Sequence, residues 1–325
     1  VAGSDRFQYL DRFCRQWLVT PDSEIMSITQ SGLLLIDKPE GPSSAHVVHR
    51  VKKILGAKRV GHLGTLDPFA SGLLPIGVNE GTKIADIFLG GAKSYRAVMV
   101  LGIATDSQDA TGKVIDERPV PALQDDDLRR LEKIFSGAQT QVPPMFSALK
   151  KDGVRLYELA RQGQEIKRTP RSITISRLEL RRLNDSEIEF DITCSRGTYV
   201  RTMAADMGIA LGCGAHLKRL RRLACDHLSL TNAMSIDQLE AAMEGGVVPL
   251  ITLANALSHL PALTWDSRSI SRLRHGQQEM LSQLRVPANG ISLLSILDQG
   301  GELAARVQWT EDMPGGCWRL YRVFH

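Results

Sequence analysis

Gly61-His-Leu-Gly-Thr-Leu-Asp-Pro-Phe-Ala-Ser-Gly-Leu-Leu-Pro75 is the stretch that decides the fold of this 325-residue chain. It lies between apolar segments and is too long and too rich in glycine and proline to be an ordinary connector. Upstream, Gly32-Leu-Leu-Leu-Ile-Asp37 reads as a buried strand, stopped by Lys38-Pro-Glu-Gly-Pro42. Ser43 or Ser44 then caps a helix with Val47, Val48, Val51 and Leu55 at roughly helical spacing, ended by Gly56. Downstream, Leu73-Leu-Pro-Ile-Gly-Val78 returns as a strand. An irregular loop suspended in this way can hold a polar side chain at the floor of a cleft.

Working outward, the pattern predicts a helix from Glu80 to Leu89, a strand from Tyr95 to Leu101, a turn-rich segment from Thr105 to Gly112, and a helix from Asp125 to Phe135 with acids in its first turn. Residues 149–182 read as an insertion with a helix near Leu156–Arg161. Its ten bases (Lys150, Lys151, Arg155, Arg161, Lys167, Arg168, Arg171, Arg177, Arg181, Arg182) face only four acids. A strand (Ile188–Cys194), a turn at Gly197 and a helix (Val200–Leu211) follow, and then the basic run His216-Leu-Lys-Arg-Leu-Arg-Arg-Leu223. From about residue 256 the texture changes to short strands, Ile291–Leu297, Leu303–Trp309 and Trp318–Phe324, which suggests a small β domain.

Composition sets the outer bounds. A hydrophobic fraction of 43% without a bilayer-length apolar run points to a soluble chain with a real core, large enough to stand as a monomer. The net charge of +4 permits one basic face without demanding it. Five cysteines, odd in number and never spaced as C-x-x-C, argue against a disulfide framework or a zinc motif and for a reducing compartment. Val1–Ile25 has no apolar core of a signal peptide, so a cytoplasmic location is expected.

Within this frame Asp67 has two readings. An Asp before Pro ordinarily initiates a turn; a carboxylate in a glycine-flanked loop can also act as a nucleophile or base, provided a positive partner keeps it ionised. Arg201, in Ser195-Arg-Gly-Thr-Tyr-Val-Arg201, opens a predicted helix, with Tyr199 two residues before it. Alone, Arg201 is a surface ion pair and Tyr199 the edge of a core. Tyr95, in Lys93-Ser-Tyr-Arg96, is a strand aromatic that could stack on a base. His62 has no second ligand at a metal spacing, so no metal is expected there. The basic segments could be solvated faces or phosphate tracks. Residue chemistry alone leads to an α/β protein able to bind RNA, with an Asp-centred site.

The loop around Asp67 closely resembles the catalytic motif of the TruB family of pseudouridine synthases. Leu35-Ile-Asp-Lys-Pro-Glu-Gly41 resembles that family's N-terminal Lys-Pro motif, and Lys93-Ser-Tyr-Arg96 its tyrosine strand. Gln141-Val-Pro-Pro-Met-Phe-Ser-Ala-Leu-Lys150 and Leu156-Tyr-Glu-Leu-Ala-Arg-Gln-Gly163 resemble its RNA-gripping thumb. Cys194-Ser-Arg-Gly-Thr-Tyr-Val-Arg201 and Gly212-Cys-Gly-Ala-His-Leu-Lys-Arg-Leu-Arg-Arg-Leu223 resemble its last two motifs. These run in family order over residues 32–225. The C-terminal β segment is similar to a PUA domain, on weaker features.

The resemblance implies an α+β fold with a mixed, mainly antiparallel sheet flanked by helices. The organisation it implies is an N-terminal extension (1–28), a catalytic domain (29–255) with a thumb at about 140–182, and a PUA-like domain (256–325). It implies a cofactor-free isomerisation of uridine at position 55 in the T-loop of transfer RNA, with the base flipped out of its loop. Asp67, Tyr95 and Arg201 would be catalytic: Asp67 the essential carboxylate, Arg201 its ion-pair partner, and Tyr95 the group that stacks on the base and moves a proton. Tyr199 and Leu220 would line the base pocket, and His62 would fill the gap left in the RNA. Lys38, Lys150, Lys151, Arg155, Lys218 and Arg219 would contact the RNA backbone. Three other readings stand beside this one: a related synthase working in a guide-RNA complex, a binding-only RNA chaperone, and a hydrolase that uses Asp67 with water but lacks an evident second acid or base.

Overall fold

The computed structural model describes residues 28–287, 292–312 and 315–325. The extension expected over residues 1–28 lies, up to residue 27, outside the described residues, as does Ile291.

The first unit is built on one nine-stranded sheet, with two small two-stranded sheets beside it. In chain order its early elements are β1 (Gly32–Lys38), α1 (Ser44–Leu55), β2 (Val60–His62), β3 (Ser71–Val78), α2 (Ala85–Gly90), β4 (Lys93–Leu101), β5 (Ile103–Thr105), β6 (Val114–Glu117) and α3 (Asp125–Phe135). There follow β7 (Gly137–Gln141), the hairpin β8 (Lys150–Lys151) and β9 (Val154–Arg155), α4 (Leu156–Arg161), β10 (Arg171–Arg182), β11 (Glu187–Cys194), α5 (Val200–Ala210), β12 (Ala215–Cys225), β13 (Leu228–Ser229), α6 (Ile236–Glu244) and α7 (Leu253–Ala256). The main path runs β1-β3-β12-β4-β11-β10-β7, with β2 on β3 and β13 on β12. Every neighbouring pair on that path is antiparallel except β3–β12. The mixed, mainly antiparallel sheet expected from the resemblance is the observed fold class.

β1 explains its own continuous apolar run. Leu34 and Ile36 pack with Val47, Val51 and Leu55 of α1, while Leu33 and Leu35 pack on the opposite side with Phe88 of α2. Both faces of the strand are covered, so strand alternation gives no polar face. Full burial of each of the three α1 side chains contributes about 1.5–3 kcal/mol relative to exposure. The helix starts at Ser43, whose hydroxyl accepts from His46 N at 3.2 Å, and ends at Gly56 in the left-handed region (φ 57°).

Two sequence expectations need correction. The helix expected over Glu80–Leu89 is a 3-10 turn (Asn79–Ile84) followed by the short α2. The basic insertion expected to reach residue 182 stops near residue 170, because Arg171–Arg182 forms β10, paired with β11 and β7. Ile173, Ile175 and Leu178 point into the core from this strand, while Arg171, Arg177 and Arg181 lie exposed. Dense outward bases hid a half-buried strand.

The C-terminal unit is a second sheet, β14 (Ala262–Thr264), β15 (Leu293–Leu297), β16 (Leu303–Thr310) and β17 (Cys317–Val323), with α8 (Ser267–Arg274) packed on it. Ile270, Leu273, Ile296, Val307 and Trp318 form its core. It is joined to the first unit through Leu303 and Phe324, which pack with Phe88, Leu253 and Leu257. Among the described residues no helix is long and apolar enough to cross a membrane. The four described cysteines are free, and Cys194, Cys213 and Cys225 are buried.

Candidate active site

Asp67 sits in the irregular span between β2 and β3, and that span is pinned carbonyl by carbonyl. Gly64 O and Thr65 O accept from the Arg222 guanidinium at 3.0 and 3.2 Å. Leu66 O accepts from the Ser44 hydroxyl, which in turn accepts from Leu66 N, both at 2.8 Å. Asp67 O accepts from Ala70 N at 3.1 Å, and Pro68 O from Gly41 N at 2.8 Å. Non-repetitive buried backbone is tolerated only when its polar groups are satisfied in this manner. Gly72 closes the span at φ +101°, where a Cβ would meet Arg222 O at 2.3 Å; the parallel contact of β3 with β12 therefore requires glycine.

The carboxylate faces Arg201, in the first turn of α5. Arg201 Nε lies 2.9 Å from Asp67 Oδ2, and Nη1 lies 3.3 Å from Asp109 Oδ2. The same guanidinium donates to Ser107 O and Phe146 O, both at 2.8 Å. Its side chain is 4% exposed, whereas that of Asp67 is 40% exposed. Two carboxylates thus share one buried cation. Burial and the Asp109 charge push the Asp67 carboxyl above the ordinary aspartate value, and Arg201 opposes them. Asp109 is itself locked: its Oδ1 accepts from Ser107 Oγ (2.8 Å), Thr111 N (3.0 Å) and Thr111 Oγ1 (2.6 Å), which leaves Oδ2 for Arg201.

Tyr199 is the N-cap residue of α5, positioned by Gln141, whose side chain accepts from Tyr199 N at 2.8 Å and donates to Tyr199 O at 3.1 Å. Burial, and then the Asp67 charge, raise its phenol, while a Ser147 hydrogen bond lowers it. Tyr95 lies on β4 directly opposite Arg222 of β12. Burial pushes its phenol up to about 12 against the pull of Arg222, so it stays protonated at neutral pH. Tyr95 packs against the cluster that holds Leu66, Ala70 and Leu220, the last only 6% exposed. His62 on β2 is half-buried; burial and Arg222 lower its pKa, which keeps the ring neutral, and its Nδ1 has no hydrogen-bond partner among the described residues.

Among the expected backbone contacts, Lys150, Lys151 and Arg155 are exposed on the β8–β9 hairpin, with Arg155 donating to the Tyr157 hydroxyl at 3.0 Å. Arg219 is exposed, and Lys218 is paired with Glu187. Lys38 overturns its expectation. It has no exposed surface, and its ammonium donates to Pro39 O (2.7 Å), Pro42 O (2.9 Å) and Pro68 O (3.2 Å). Burial lowers its pKa to about 8. A cation enclosed by three carbonyls cannot reach a phosphate; it braces the loop that carries Asp67.

Asp109 and Arg222 escaped the sequence reading, and Ser44 was read only as an alternative helix cap; the cap is Ser43, and the Ser44 hydroxyl holds Leu66 instead. Asp109 lay in a segment read only as turn-rich, although Ser-x-Asp-x-Thr is a pattern in which side chains lock one another. Arg222 was one base in a basic run, and only strand periodicity in Ala215–Cys225 could have shown it pointing inward.

The family model described as "TruB family pseudouridylate synthase (N terminal domain)" matches residues 52–200, and that described as "tRNA pseudouridylate synthase B C-terminal domain" matches residues 201–246. The chain is 45% identical to the tRNA pseudouridine synthase B of Geobacter sulfurreducens, over 90% of this chain and 99% of that one. It is 45% identical to the protein of that name from Syntrophobacter fumaroxidans, over 76% and 82%. A crystal structure of a Cbf5-Nop10-Gar1 complex aligns with a TM-score of 0.66 over 96% of this chain and 94% of that one; at 22% identity it shows a shared fold. Fold and relatives together define an RNA-modifying isomerase of the pseudouridine synthase class, which converts uridine to pseudouridine. Within that class, the chain belongs to the TruB family.

Proposed function

We propose that this enzyme modifies the uridine at position 55 in the T-loop of transfer RNA, with Asp67 as the reacting carboxylate. The observation that carries the reading is the contrast between Asp67, half-open and aimed outward, and Arg201, buried and fixed behind it. Isomerisation breaks the N1–C1′ bond, turns the uracil and joins C1′ to C5; the C5 proton leaves and N1 gains one. No atom is added, so the reaction calls on no cofactor. The uridine has to leave its loop to reach Asp67, at roughly a few kcal/mol of unstacking.

Arg201 holds the carboxylate charged and oriented through a charge-assisted bond. Tyr95, protonated at neutral pH, offers a ring to the flipped base and a hydroxyl for proton transfer at C2′ or C5. Tyr199 and Leu220 bound the base, and the neutral ring of His62 replaces it in the RNA stack. Lys150, Lys151, Arg155, Lys218 and Arg219 follow the phosphates, and the C-terminal unit acts as a PUA-like RNA-binding module. The 45% identity to proteins named tRNA pseudouridine synthase B favours a stand-alone cytoplasmic enzyme over one that needs a guide RNA.

The test is tritium release from 5-tritiated uridine in a transfer-RNA transcript. Wild type should release one equivalent, Asp67→Asn none with RNA binding retained, and a transcript carrying cytidine at position 55 none with either protein. Release from the cytidine-55 transcript would move the target elsewhere. Loss of RNA binding with Asp67→Asn would make the residue structural.

A further inference from the structure

Away from the Asp67 cleft, where β12 turns into β13, Asp226 and His227 meet His259 from the segment between α7 and β14. The three side chains each offer one ligand atom, and these atoms all lie within 4.8 Å of one another. Asp226 Oδ2 is 3.9 Å from His227 Nδ1 and 3.6 Å from His259 Nε2. Both separations exceed hydrogen-bonding distance, which for N–H···O ends near 3.2 Å. The donors therefore surround a gap instead of pairing across it. A point equidistant from the three lies roughly 2.1–2.5 Å from each, against zinc–nitrogen and zinc–oxygen bonds of about 2.0–2.2 Å.

Asp226 sits in the left-handed region (φ 56°), with its N–H donating to Ala92 O at 2.7 Å. The His227 ring leans on Phe88 at 5.8 Å and on His259 at 4.1 Å between centroids. The three side chains are 27–32% exposed, so an ion can arrive from solvent and keep a water ligand. Arg306, the nearby cation, is buried over the Tyr321 ring, with an Asp86 oxygen at 3.8 Å, beyond hydrogen-bonding distance.

We propose that Asp226, His227 and His259 form a binding site for one divalent transition ion of the zinc class, which clasps the end of the catalytic sheet to the chain entering the C-terminal unit. Two imidazoles and one carboxylate select zinc, cobalt or nickel over magnesium or calcium, which prefer all-oxygen shells. The fourth position falls to water. His259 is the only donor from beyond α7, so the ion would fix the junction on which Leu303 and Phe324 pack. The role is structural and separate from the isomerisation.

The test uses the full chain without a polyhistidine tag, stripped with EDTA and titrated with Co2+ and then Zn2+. Wild type should bind one equivalent of Co2+ with visible ligand-field bands that Zn2+ abolishes, and Zn2+ should raise its Tm. His227→Gln and His259→Gln should each weaken binding about tenfold or more and remove the Tm rise. His275→Gln, at an exposed histidine of the C-terminal unit, should change neither. Pseudouridine formation at moderate temperature should be the same in wild type and both ligand variants. Absence of a saturable equivalent in wild type, or bands that persist in both ligand variants, would overturn the site. Binding without a Tm rise would overturn the clasp.

Discussion

Arg222→Lys tests whether the Asp67 loop is held from below. Arg222 is 1% exposed and donates Nε to Leu73 O at 2.7 Å, as well as both terminal nitrogens to Thr65 O and Gly64 O. The planar fork spans the start of β3 and the start of the loop before it, and a single ammonium cannot reach both. At least two buried carbonyls would lose their partner, at about 1–3 kcal/mol each, so the variant should be about 2–6 kcal/mol less stable. That is a large share of a total of roughly 5–15 kcal/mol. A loop displaced by about 1 Å should also reduce turnover by about 100-fold. RNA affinity should change little, because Arg222 offers no surface to a phosphate. Urea unfolding followed by circular dichroism suits the stability measurement, since the described tryptophans (Trp265, Trp309 and Trp318) all lie in the C-terminal unit and would report the wrong part. Single-turnover tritium release from folded protein gives the rate. A variant within 0.5 kcal/mol and threefold of wild type, margins on the order of an ordinary surface substitution, would refute the clamp.

With Asp67 as the proposed reacting carboxylate, the acid limb of the kcat/KM profile should lie above the ordinary aspartate range, because its pKa is raised by burial and by Asp109. Asp109→Asn removes one raising charge and should shift that limb to lower pH; an unmoved or rising limb contradicts the shared-cation geometry. Neutralising Lys150, Lys151 and Arg155 together should weaken RNA binding and flatten its log–log salt slope by about 2–3, near 0.7–0.9 per phosphate contact; an unchanged slope removes the hairpin from the RNA path. Lys38→Met should leave that slope unchanged. It should lower stability by about 2–6 kcal/mol, because Pro39 O and Pro42 O lose their donor, and a reduced slope in this variant would restore Lys38 to the RNA surface.

What the sequence made legible follows the reach of each signal. Strand β1 and helix α1 were readable because apolar spacing, a serine cap and a terminal glycine agree locally. Asp67 was readable because its loop is long, glycine-rich and set between strands. Lys38 was misread because a lysine next to Pro and Gly looks solvated; its burial depends on Pro68, thirty residues away, whose carbonyl it reaches at 3.2 Å. Arg171–Arg182 was misread because its outward bases outweighed the inward Ile173, Ile175 and Leu178. Asp109 and Arg201 are 92 positions apart, and no local pattern reports that one guanidinium would serve both Asp109 and Asp67.

The site divides its labour by depth. Arg201 is spent on two carboxylates and two carbonyls and is almost wholly enclosed, so its position is fixed before any substrate arrives. Arg222, Lys38 and Ser44 fix the backbone on either side of Asp67, and none of them has more than 2% of its surface exposed. Only the Asp67 carboxylate keeps an open face. Such an arrangement places the reorganisation penalty in folding and leaves little for the reaction step. It also separates two kinds of failure: removing the Asp67 charge deletes the proposed reacting group from an intact frame, whereas removing Arg201 strands the buried Asp109 carboxylate, a change of about 3–5 kcal/mol that reaches the fold itself.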